Sequence, residues 1–96
     1  MTTLKFPLNR PIDLACLGRL AVDLYAQQIG SSLEDARTFS KYLGGSSANL
    51  AFGVARLGLR SAMISRVGNE QMGNYLLQTL QQEGCDVSQV QIDPER

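Results

Sequence analysis

Gly44-Gly45-Ser46-Ser47-Ala48-Asn49-Leu50-Ala51 is the stretch on which the reading of this chain turns. Two adjacent glycines let another backbone or a ligand come close, because no Cβ stands in the way. Two hydroxyls follow, and Ser46 or Ser47 is placed to cap a helix. Beyond them Leu50, Val54 and Leu57 recur at helical spacing, with Ala51 and Ala55 beside them. Gly58 is placed to end that helix in the left-handed cap conformation. A helix start carries unpaired N–H groups and a partial positive charge. Asn49, a poor helix former, adds a donor and an acceptor within the first turn. The stretch therefore predicts a turn into a helix whose start can hold a polar, oxygen-rich ligand.

On the amino-terminal side, Ile12 to Gly18 is a short apolar run, expected as a strand buried on both faces. From Leu20 to Gln27 the pattern changes to period two. Leu20, Val22, Leu24 and Ala26 fall on one face, and Ala21, Asp23, Tyr25 and Gln27 on a wetter one. Gly30-Ser31-Ser32 and Glu34-Asp35 read as a polar turn. Thr38 to Leu43 is then a strand that would pair with residues 22–27 as a two-stranded flap. Such a ribbon is marginal alone and needs a surface to lie on.

On the carboxyl-terminal side, Ser61 to Val67 predicts a strand and Gly68-Asn69-Glu70 a turn. Met72, Leu76 and Leu80 predict the core stripe of a second helix, running to about Glu83 with Gly84 as its cap. Val87 to Ile92 predicts another strand. Strands alternating with helices imply βαβ units, a parallel sheet and right-handed crossovers. Ligands of such sheets bind beyond the carboxyl ends of the strands. Asp23, Gly44 to Asn49 and Gly68 to Glu70 all belong to that edge.

The chain has 96 residues, enough for one domain with a modest core. Hydrophobic residues are 44% and charged residues 19%, which argues against disorder. Lys+Arg and Asp+Glu are both 9, so no basic field draws nucleic acid or an acidic membrane surface. There is no histidine, which removes the usual general base and the commonest metal ligand. Cys16 and Cys85 form no CxxC, are too few for a zinc site, and Cys16 reads as a small core residue. Met1 to Pro11 has no apolar segment of the secretory kind, and no apolar run approaches the roughly 20 residues of a membrane span. A cytoplasmic protein is the expectation. Two glycine fingerprints are absent: no GxxxxGK[ST] occurs, and Gly18-Arg19-Leu20-Ala21-Val22-Asp23 lacks the GxGxxG spacing.

Gly44-Gly45, Asn49, Ala51, Gly58 and Gly68 together resemble the first signature of the ribokinase-like (PfkB) carbohydrate kinases. The likeness runs from Asp13 to Glu95. Ser47 departs from it, standing where that pattern has Gly, Ala or Pro. Asn69 stands where relatives often carry Asp. More narrowly, Leu17-Gly18-Arg19, Val22-Asp23-Leu24-Tyr25, Lys41 to Ser46 and Asp93-Pro94-Glu95-Arg96 look like the 5-dehydro-2-deoxygluconokinase branch of that family.

The resemblance implies an α/β fold: the amino-terminal part, over residues 1–96, of a ribokinase-like, Rossmann-like parallel-sheet domain with a small β-strand lid near residues 22–30 and 37–43. It implies substrate-binding roles for Asp23, Gly44, Gly45 and Asn49. Asp23 would accept hydrogen bonds from sugar hydroxyls, the two glycines would let the backbone approach, and Asn49 would bond another hydroxyl. The substrate implied is a small sugar acid, 5-dehydro-2-deoxy-D-gluconate of myo-inositol breakdown, with a related keto-deoxy sugar acid or fructose as alternatives. ATP and Mg2+ are the implied cofactors, with their sites and the catalytic base in a carboxyl-terminal part beyond these residues. No Gly-Ala-Gly-Asp segment occurs here, so no catalytic residue is assigned, and the chain alone is expected to be an inactive fragment. A homodimer through the lid is a further implication. A non-catalytic dimerisation module is the competing reading.

Overall fold

The computed structural model describes residues 9–95. The reading of Met1 to Pro11 therefore lies largely outside the described residues, as does Arg96. The elements run β1 (Leu14–Leu17), β2 (Ala21–Ala26), β3 (Phe39–Gly44), α1 (Ser46–Arg56), β4 (Ser61–Gly68), α2 (Gln71–Gln82) and β5 (Val90–Asp93). β1, β4 and β5 form a three-stranded sheet in the order β1-β4-β5, with both pairs parallel. β4 is the long central strand. Residues 61–64 pair with β1 and residues 65–68 pair with β5, so the sheet is staggered along β4. β2 and β3 form a separate antiparallel ribbon in which Asp23 lies opposite Tyr42 and Ala21 opposite Gly44.

Both helices cover one face of the sheet. Cys16 of β1 and Met63 of β4 share a core cluster with Ala48, Ala51 and Ala55 of α1 and Leu80 of α2. The Ser61 hydroxyl, on the same side of β4 as Met63, donates to Ala51 O at 2.8 Å. Among the described residues nothing covers the other face, where Leu17 is 76% exposed and Ile64 39%. Within them β1 is buried on one face only. Its apolar run looked like that of a doubly covered strand, but the two crossovers proceed in one direction across the sheet. Right-handed connections then put both helices on the same side.

The stripe expected on α1 is borne out at Ala51 and Ala55 but not at its leucines. Ala48, Ala51 and Ala55 are buried, whereas Leu50 is 55% and Leu57 83% exposed. Alanines let the helix axis come close enough to the sheet for the Ser61 contact to form; leucines there would hold it away. On α2 the stripe is partly as expected. Leu76 and Leu80 are buried, but Met72 stands 53% exposed beside the ribbon.

Gly58 and Gly84 cap the two helices as their positions predicted. Leu59 N donates to Val54 O and Gly58 N to Ala55 O; Cys85 N donates to Leu80 O and Gly84 N to Gln81 O. These are paired 6→1 and 5→2 bonds around a glycine of positive φ, the Schellman arrangement. At the amino ends of the strands, Asp13 accepts from Arg60 N at 2.8 Å and pairs with the Arg10 and Arg60 side chains. Among the described residues no helix is long and apolar enough to cross a membrane.

Candidate functional site

The ribbon brings the first two predicted residues together. Ala21, Asp23 and Tyr25 share a face with Gly44, Tyr42 and Ser40, because cross-strand partners point the same way. Asp23 and Gly44 are diagonal neighbours on that face. A Cβ on Gly44 would collide with the Asp23 carboxylate, so the missing side chain is what makes room for it. Gly44 is buried and Asp23 half-buried. Next to them Tyr25 and Tyr42 meet edge to face, ring centroids 5.4 Å apart. A carboxylate set beside the faces and edges of two exposed rings suits a ligand with both hydroxyls and C–H surface.

Gly45 adopts φ 100° and ψ 136° and is the N-cap of α1. Neither Ser46 nor Ser47 caps the helix, contrary to the sequence expectation. The chain must turn sharply between β3 and α1, only glycine takes that backbone angle easily, and the cap therefore falls one residue earlier. A Cβ at Gly45 would also strike Arg19 O, so the turn after β1 lies directly against it. Ser47 instead donates its hydroxyl to Leu17 O at 3.0 Å. Asn49 lies in the first turn of α1, exposed, with its backbone N–H on Gly45 O at 2.9 Å.

The third polar segment closes the same edge. Gly68 ends β4, Asn69 N donates to Asp93 O at 3.1 Å, and the Glu70 carboxylate caps α2. Glu70 Oε2 accepts from Met72 N at 2.8 Å and Oε1 from Gly73 N at 2.7 Å. Glu70 is thereby committed to the helix. Gly68, Glu70 and Gly73 line a cavity of about 270 Å³ together with Leu20, Ala21 and Val22 at the start of the ribbon. The first residues of the ribbon and the turn after β4 are thus gathered round one space; Asp23, Gly44, Gly45 and Asn49 do not line it, though Ala21 lies opposite Gly44 in the ribbon.

Two residues at this edge were missed in the sequence. Arg66 Nε lies 3.4 Å from Asp93 Oδ2 across the open face of the sheet, and both line a second cavity of about 350 Å³ with Val67 and Gly68. The signal was present: Arg66 interrupts an apolar strand, and Asp93 stands at the carboxyl end of the last one. Cys16 and Cys85 are buried, and burial pushes both thiols up from their ordinary range, so neither is an activated nucleophile. Among the described residues no group of three His, Cys, Asp or Glu side chains could hold a metal ion.

A model of the pfkB family carbohydrate kinases matches residues 11–96. Among curated proteins, the 5-dehydro-2-deoxygluconokinase of Geobacillus thermodenitrificans is 44% identical over 93 residues, covering 97% of this chain and 28% of the relative. The Geobacillus kaustophilus protein of the same name is 43% identical over the same length and shares. Among solved structures, the fructokinase of Halothermothrix orenii superposes with a TM-score of 0.78 at 38% identity, over 88% of this chain and 30% of that one. A sugar kinase from Pyrococcus horikoshii in complex with ATP gives a TM-score of 0.76 at 40% identity, over 86% of this chain and 27% of its own. The chain thus spans just over a quarter of the length of the curated relatives it matches.

Proposed function

The chain belongs to the pfkB family of carbohydrate kinases, and from that premise we propose that it forms the acceptor-binding and lid part of an ATP-dependent sugar kinase. The acceptor proposed is 5-dehydro-2-deoxy-D-gluconate, an intermediate of myo-inositol breakdown in the cytoplasm. The observation that carries the reading is the Asp23 carboxylate seated against Gly44 at the foot of the ribbon. Asp23 accepts from sugar hydroxyls, Gly44 and Gly45 admit the sugar to the backbone, and Asn49 meets a further hydroxyl from the start of α1. The β2–β3 ribbon is the lid. The relatives named for this sugar acid support the choice of substrate, and the ATP-bound neighbour supports ATP as donor. ATP with Mg2+ would supply the phosphoryl group from sites outside these residues. The 96 residues by themselves are proposed to bind sugar without phosphorylating it.

Calorimetric titration of the chain with the sugar acid, with fructose as comparison, tests this. Asp23→Ala should weaken binding of the acid at least tenfold, as loss of a charge-assisted pair does. Equal binding by both proteins would refute the site. A coupled assay giving ordinary kinase turnover would refute the inactivity of the 96-mer.

A second reading is favoured by the outer end of the ribbon. Leu24 is 54%, Tyr25 58% and Phe39 41% exposed. Such a surface suits pairing of two ribbons in a homodimer. Under a purely associative role, light scattering would report a dimer and Asp23→Ala would leave all ligand titrations unchanged.

A further inference from the structure

We propose that Ser47 is a positioning residue for the sugar site, pinning the start of α1 to the carboxyl end of β1; the inference rests on the sugar-binding reading above. Ser47 sits in the first turn of its helix but does not cap it. Its hydroxyl reaches out of the helix to Leu17 O, the last carbonyl of β1, at 3.0 Å and 30 residues away in sequence. The neighbouring residue is shaped to permit this. A Cβ on Gly18 would fall onto Ser47 Oγ and stand 2.7 Å from Ser47 Cβ. Gly18 N meanwhile donates to Ile64 O at 3.2 Å, so the receiving end of the joint is anchored in the sheet.

One residue further on, the same two segments touch again. A Cβ at Gly45 would collide with Arg19 O. Residues 17–19 and 45–47 are therefore clasped by one hydroxyl and two glycines. Gly44 immediately precedes this clasp and lies against Asp23. Any slide of the α1 start relative to β1 changes where Gly44 stands under that carboxylate. A Gly, Ala or Pro at position 47 has no hydroxyl with which to make the pin.

Hydrogen exchange and calorimetry on the same variants test the proposal. Ser47→Ala should speed amide exchange at residues 46–50 by up to about tenfold, the loss of one hydrogen bond, while α2 and β5 keep their rates. It should also weaken binding of 5-dehydro-2-deoxy-D-gluconate several-fold. Ser47→Thr, which keeps the hydroxyl, should stay near the unsubstituted chain in both. Gly18→Ala should reproduce the exchange change, and adding Ser47→Ala to it should add little. Unchanged exchange at residues 46–50 in Ser47→Ala overturns the pin. Faster exchange with unchanged sugar affinity overturns the positioning role. Absence of sugar binding by the unsubstituted chain removes the site reading and the positioning role with it, and is told apart because no substitution is involved.

Discussion

Single glycines hold the candidate site together, each for a different reason. Gly44 is short of a Cβ so that the Asp23 carboxylate can occupy the space. Gly44→Ala should therefore weaken sugar binding through Asp23 while changing stability little, because the obstructed group is a side chain that can rotate away. Titration and a urea melt on the same variant separate the two. Gly45 is different. Its φ of 100° is one that other residues adopt only under strain, and a Cβ there meets the immovable Arg19 carbonyl. Gly45→Ala should cost about 1–3 kcal/mol from backbone conformation alone, read as a lower urea midpoint at constant slope. The glycine pair was legible in the sequence as a place of close approach. Which glycine meets the Asp23 carboxylate and which meets backbone was not, since that depends on residues 21 and 26 positions away.

At the scale of the elements, the two helices test how far periodicity reaches. On α1 the leucines of the expected stripe are exposed, and the buried line is alanine, of which Ala51 and Ala55 belonged to that stripe. Leu57→Lys should change stability by no more than about 0.5 kcal/mol, as exposed sites do. Ala51→Leu should cost about 1–3 kcal/mol by forcing the helix off Ser61 and Met63. A thermal melt of each variant decides the matter, and the reverse order would restore the leucine stripe. On α2 the start is made by one side chain. Glu70 satisfies two N–H groups, and the first turn holds no other acidic residue. Glu70→Ala should cost about 1 kcal/mol, with loss of helix measured by circular dichroism. The strands and both carboxyl-terminal glycine caps were legible because their signals are local. The α1 stripe was not, because the closeness of helix and sheet decides whether alanine or leucine fits.

For the whole molecule, the site edge and the opposite edge of the sheet divide their tasks. Asp13 ties the beginnings of β1 and β4 together at the end remote from the glycine pair. The Arg60 backbone N–H and guanidinium, with Arg10, hold its carboxyl below the usual carboxylate range. Its proton is therefore taken up more readily by the unfolded chain. Its contribution to stability is in place above about pH 4, the unfolded value, and is lost as pH falls through the lower folded value. Melting temperatures followed from pH 6 down to pH 2 should show Asp13→Asn less stable than the unsubstituted chain at pH 6, with the two converging in acid. Parallel curves would show that Asp13 is not the group responsible. The amino-acid sequence by itself determined the order of strands and helices, the ribbon, the glycine caps at the carboxyl ends of both helices and the family signature, since all of these follow from neighbours within a few residues and from glycine positions. Only the tertiary structure decided that both helices share one face, that Gly45 rather than a serine caps α1, that Ser47 is joined to β1, and that Arg66 meets Asp93. Those outcomes depend on crossover direction and on contacts between segments far apart in the chain, where backbone approach and steric room, not local preference, select what fits.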